Sequence, residues 1–209
     1  MSRPDKVRKL SGPDFIAKKT VKPSALLNPV PVVMCTCGDM KDSDIVTIAW
    51  CGTVNSDPPM VSVSVRKSRY SHGLISASGK LCVNLVSEDL VKAADFCGVR
   101  SGRDTDKFSE TGLTKVESPL YAIPMIGESP VNLECSVKQT IELGSHDMFL
   151  CNIDAVYVAE KLFDAKGAID MSRAGLAAYS HGEYYALSGI LGFFGYSVAG
   201  EDALKRRKR

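Results

Sequence analysis

The stretch from Thr53 to Ile75 reads TVNSDPPMVSVSVRKSRYSHGLI, and its middle decides how the chain is read. In MVSVSVR the valines 61, 63 and 65 fall on one face of an extended strand, and Ser62 and Ser64 on the other. A strand whose second face is small and hydroxylated can lie against a flat polar ligand, or simply face water. Arg66, Lys67, Ser68, Arg69, Ser71 and His72 follow at once, where RYSHGLISASG begins a short helix that Gly79 stops. A phosphate monoester is close to a dianion, best held by a bidentate Arg, hydroxyl donors and the free N–H groups of a helix's first turn. The same residues also compose an ordinary solvated turn with Ser68 as the helix cap. This stretch alone leaves both readings open.

Outward from it, the first half of the chain reads as short β-branched or alternating strands: PVVMCTC, IVTIAWCG, MVSVSVR and KLCVNLV. In the second of these, Thr47, Ala49, Trp50 and Gly52 are expected on a strand running into a turn, where the small residues let a backbone or ring approach closely. Trp50 is the only tryptophan, and a lone tryptophan is more often core than stacking surface. SEDLVKAADFCG offers Ser87 as an N-cap, with Leu90, Ala93, Ala94 and Cys97 at helical spacing and Gly98 as the end. DTDKFSETG is suited to a one- to two-turn helix. VNLECSVKQTIELG and HDMFLCNIDAVYVAEKLF are long strands joined by a Gly-Ser-His-Asp bend, which predicts a hairpin or neighbouring strands in a closed sheet. Many strands, few short helices and no βα alternation predict a mainly β fold, a barrel with helices inserted between strands.

The 209 residues, 44% hydrophobic, read as one domain over residues 1–209, with 1–20 an N-terminal extension and 201–209 a basic tail ending KRRKR. A formal charge of +2 argues against a general nucleic-acid binder. No segment is apolar and long enough to cross a bilayer, and MSRPDKVRKLSGPDF lacks the apolar core of a secretory signal, so a cytoplasmic location is expected. Seven cysteines, several in strand-like runs, fit buried reduced thiols better than a disulfide framework. Cys35 and Cys37 share a strand face, but they lack the Cys-x-x-Cys spacing of zinc and redox sites, and no metal site is expected. Gly189, Gly192 and Gly195 imitate a dinucleotide fingerprint without the βα turn that it needs.

Taken as a set, these residues resemble the flavin reductase-like family, whose members bind FMN in a split β-barrel. TIAWCGTVNSDPPMVSVSV is similar to the family's strand–turn–strand, and RKSRYSHGLISASGKLCVNLVSEDL to its phosphate turn, short helix and Asn-bearing strand. FCGVRSGRDTDKF looks like its Gly-x-x-x-Asp-Lys-Phe segment and LGSHDMFLCNIDAV like its Gly-x-His hairpin, in the family's order, with EYYALSGILGFFGY as a C-terminal match. The closest likeness is to the flavoredoxin-type branch. The resemblance implies that Thr47, Ala49, Trp50 and Cys51 border the flavin ring and that Ser62, Val63, Ser64 and Val65 run beside it. It implies Arg66, Ser68, Ser71 and His72 at the phosphate, Asn84 and Ser87 at the ribityl chain or ring edge, and Ser101, Gly102 and Lys107 close by. His146 matches a position near the nicotinamide in some relatives; a turn histidine bonded to its own backbone is the other reading. The resemblance further implies NAD(P)H as reductant, a small-molecule or protein electron acceptor, and a homodimer. No catalytic side chain is required, because the flavin carries the chemistry. Two features depart from the family: CNIDAV stands where reductases often show Gly-Glu-Val, and the phosphate turn holds three cations, which leaves open whether Arg66, Lys67 or Arg69 meets the phosphate.

Overall fold

The computed structural model describes residues 16, 18–187 and 189–200; most of the N-terminal extension and the basic tail lie outside them. Five strands of the first half are β1 (Val30–Pro31), β2 (Val33–Gly38), β3 (Ser43–Ile48), β4 (Cys51–Ser56) and β5 (Pro59–Arg66). They are followed by α1 (Tyr70–Ser78), β6 (Lys80–Leu85), α2 (Val91–Val99) and α3 (Lys107–Thr111). The rest is strand-rich: β7 (Lys115–Glu117), β8 (Pro124–Ile126), β9 (Val131–Glu142), β10 (His146–Val158), β11 (Ala177–Ser180) and β12 (Glu183–Ala186). Seven strands form one antiparallel sheet in the order β3-β2-β6-β9-β10-β5-β4. The sheet curls without closing, so the fold is the split barrel that the sequence predicts. β1, β11 and β12 make a second, smaller sheet, and β7 and β8 a two-stranded one.

Strand alternation separates two cores. Val33, Cys35 and Cys37 of β2 point into the barrel with Val46, Val63, Val65, Leu81, Phe149 and Cys151. Met34 of β2 points outward and joins Ile45, Ala94, Cys97 and Phe108 under α2 and α3. A one-residue slip of β2 would exchange these faces, so the period of two fixes the register.

Several expectations need local correction. The run IVTIAWCG is not one strand: β3 ends at Ile48, the chain bends through Ala49 and Trp50, and Cys51 already belongs to β4. Trp50 is not a core residue; it is 40% exposed at that bend, lining the hollows there. His146 and Asp147 begin β10 rather than forming the turn, which is closed by the Leu143 N–H donating to the His146 carbonyl (2.9 Å). Ser87 precedes a 3-10 turn at Glu88–Leu90 without capping it through its side chain, and α2 proper starts at Val91. The last long strand ends at Val158, with a 3-10 turn at Glu160–Leu162.

Candidate functional site

The bend at Ala49–Trp50 lies where the sheet fails to close, and three hollows meet there. The first is lined by Thr47, Ala49, Trp50, Ser64, Arg66, Arg69 and His146. The second runs along Cys51, Gly52, Ser62 and Ser64 toward Leu27. The third lies between β3, α2 and the β11–β12 hairpin. Pairing explains the meeting: the Ser64 N–H donates to the Trp50 carbonyl (2.9 Å), and Arg66 stands opposite His146 across β5 and β10. Ser62 and Ser64 therefore present small side chains on the outer face, while Val63 and Val65 are fully buried inside the barrel. Those two valines border the hollows only through their backbone.

The three cations of the basic turn have different surroundings. Lys67 is ion-paired with Glu142 (2.9 Å) and Asp147 (3.3 Å). Arg103 reaches back to donate to the Ser68 carbonyl (3.1 Å) and lies over the Tyr70 ring. Among the described residues, no acid pairs with Arg66 or Arg69, and both line the first hollow. Two guanidiniums without an acid among the described residues, beside the start of α1, make a corner suited to an anion. Desolvation and then the Arg66 charge hold the His146 imidazole below its ordinary pKa, so it is neutral near pH 7. Its Nδ1 lies 2.9 Å from the Ser145 hydroxyl.

Other residues expected at the cofactor are engaged elsewhere. The Ser71 hydroxyl is buried and donates to Asp44. His72 turns toward β10, its Nε2 2.8 Å from Asp147 and its ring against Phe149. Asn84 is fully buried: its amide donates to the Met34 carbonyl (2.8 Å) and its oxygen accepts from the Ile126 N–H (3.0 Å) and Asn132 (2.7 Å). Ser87 bridges to Leu176 beside the smaller sheet. Lys107 is buried beneath the site, not in it; Nζ donates to the Ile45 carbonyl (2.5 Å) and pairs with Asp44 (2.9 Å). Gly102 packs directly on that carboxylate, where a Cβ would overlap Asp44. Ser101 opens the same loop, its hydroxyl accepting from the Arg103 N–H (3.3 Å). Asp44 thus ties β3, α1, α3 and the loop after α2 into one polar knot behind the anion corner.

Sequence reasoning missed Asp44, which carries a polar signal at a strand start but no sign of its partners. It also missed Asp95, Tyr179 and Tyr184 around the third hollow, because the smaller sheet was not foreseen. Cys51 borders the second hollow, its thiol pushed up to about 12 by desolvation, so it is protonated and a poor nucleophile. Among the described residues, no cluster of three His, Cys, Asp or Glu side chains is placed to hold a metal ion.

An open split barrel with a basic corner at the split defines the class of this protein by its fold. The family model "Flavin reductase like domain" matches residues 26–188, and the chain belongs to the flavin reductase-like family. Among solved structures it is similar to flavoredoxin of Desulfovibrio vulgaris (Miyazaki F), with a TM-score of 0.79 and 30% identity over 85% of this chain and 97% of that one. It is also similar to flavoredoxin from Methanosarcina acetivorans, with a TM-score of 0.79 and 27% identity over 88% of this chain and 100% of that one. In sequence it is 24% identical to the FMN reductase (NADH) RutF of Stutzerimonas stutzeri, over 60% of this chain and 69% of that one.

Proposed function

We propose that the chain binds FMN along the split of the barrel and acts as an oxidoreductase, taking electrons from NAD(P)H and passing them to a second acceptor. The observation that carries this reading is the pair of guanidiniums, Arg66 and Arg69, that no acid pairs among the described residues and that line one hollow beside the start of α1. They would hold the phosphate. Ser62, Ser64 and Gly52 offer a flat, small floor for the ribityl chain and ring, and Trp50 and Ala49 form its edge. When bound, the flavin supplies hydride acceptance and stepwise electron release. The chain's own part is to hold the phosphate, shape the ring site and keep it shielded from water. His146, neutral and opposite Arg66, can donate or accept a hydrogen bond at the same mouth. The names of the similar flavoredoxins and of the FMN reductase support this class of activity.

FMN titration tests the reading. Losing a charge-assisted bond costs roughly 1.5–3 kcal/mol, so Arg66→Ala or Arg69→Ala should weaken FMN about 10- to 150-fold. Lys67→Ala, which removes a cation already engaged by two acids, should change it by less than about threefold. Colourless protein that ignores added FMN in a calorimeter would end the proposal. Rapid bleaching of bound FMN by NADH or NADPH supports the reductant, and its absence points to a protein donor instead. We further read the protein as a cytoplasmic homodimer whose partners include neither nucleic acid nor a membrane. Among the described residues, no helix is long and apolar enough to cross a membrane.

A further inference from the structure

The third hollow has a chemistry unlike the other two. Thr47, Ala49 and Trp50 form the side it shares with the anion corner, while Val99, Tyr179 and Tyr184 close it from α2 and the β11–β12 hairpin. The two tyrosines meet edge-on, with ring centroids 5.6 Å apart. The Tyr184 hydroxyl donates to Asp95 (3.1 Å), and desolvation, followed by the Asp95 charge, pushes its pKa up to about 12, so it stays a neutral donor. Asp95 is the one charged side chain among the described residues lining this hollow. Lys92 and Arg100 lie on the far side of Asp95, in a separate depression, where Arg100 sits over the Phe96 ring. Gly98 sets the width: a Cβ there would stand 3.3 Å from the Thr47 Cβ, and the missing side chain lets α2 approach β3 closely.

We propose that this hollow binds the second substrate, and that Asp95 makes it select flat neutral or cationic molecules of the quinone or heteroaromatic kind over anions. The inference rests on the flavin reading, since the shared Ala49–Trp50 side places such a molecule next to the ring site. Aromatic walls favour a planar ring, and a carboxylate at the rim repels a sulfonate or carboxylate. With a quinone the exchange balances as a two-electron step. NAD(P)H and one proton are consumed together with the quinone, and NAD(P)⁺ and the hydroquinone leave.

Binding can be measured without turnover. Protein, with and without added FMN and with no reductant, is dialysed to equilibrium against a neutral hydroxymethyl anthraquinone or against anthraquinone sulfonate. Quenching of Trp50, the only tryptophan, reports whether the ligand sits at this bend. The neutral compound should bind about fivefold tighter or better, as expected for like charges a few ångströms apart near a wetted surface. Asp95→Asn should bring the two within about twofold while leaving FMN affinity unchanged. Equal or tighter sulfonate binding in the unaltered protein overturns the proposal, as does a ratio that ignores Asp95→Asn. A loss of FMN affinity in Asp95→Asn also overturns it, because the hollow would then hold the flavin ring itself. Failure of the flavin reading is seen separately, in the Arg66→Ala titration.

Discussion

The three cations of the basic turn, Arg66, Lys67 and Arg69, differ in what surrounds them more than in what they are. Lys67 and Arg103 are spent on partners, whereas Arg66 and Arg69 are left facing a hollow. Charge on a side chain is visible in a sequence; whether a neighbour neutralises it is not. The same holds for Lys107, whose side chain is 3% exposed against an Asp44 side chain that is 2% exposed. Removing one member strands a buried charge, so Lys107→Met should lower stability by about 3–5 kcal/mol in denaturant unfolding. The double variant with Asp44→Asn should cost clearly less than the sum of the two single changes. His146 gives a pH prediction. Its folded pKa lies below the ordinary 6.5, so between those two values the unfolded chain binds more protons. Stability of the ligand-free protein therefore rises with pH through that window and falls as pH drops below 6.5. Thermal melts of His146→Gln should lose this part of the slope.

Helix α1 is built from both ends by different means. At its start Arg69 is extended and makes no side-chain cap, its carbonyl accepting from the His72 N–H (3.1 Å). At its end Gly79 adopts φ +64°, and its N–H donates to the Ile75 carbonyl (2.8 Å). A Cβ in that left-handed conformation costs roughly 1–2 kcal/mol. Gly79→Ala should lower stability by that amount in chemical denaturation while FMN affinity stays put, because the strain sits at the end away from the hollow. Strand β5 shows how much of an element is legible in advance. The alternation of Val61, Val63 and Val65 with Ser62 and Ser64 separated the core face from the outer one, since a period of two admits only two choices. Helix α2 was less legible. Its apolar spacing was visible, but its approach to Thr47, whose hydroxyl donates to the Ala94 carbonyl, depends on a sheet it meets only in the folded molecule.

At the scale of the whole molecule, β3 and β4 are the two edges of an unclosed seven-stranded sheet. Past the last strand, Leu191 is 98% and Phe194 107% exposed, too apolar a stretch to stand in water. Sedimentation should therefore find twice the chain mass, and truncation after Leu187 should shift the population toward monomer. The seven cysteines are free and mostly buried, so a thiol reagent should react slowly with the native protein and count seven in guanidinium. The sequence by itself determined the mainly β class, the two faces of β5, and the basic corner after β5. Each of these follows from local periodicity or from neighbours along the chain. Only the tertiary structure decided that Trp50 is exposed, that Ser71, Asn84 and Lys107 are bound up in the interior, and that Asp95 and Tyr184 stand across a hollow from Ala49. Those outcomes depend on which side chains distant in sequence arrive at the same place. Coulomb and hydrogen-bond partners act over a few ångströms, and that proximity exists only once the sheet has curled.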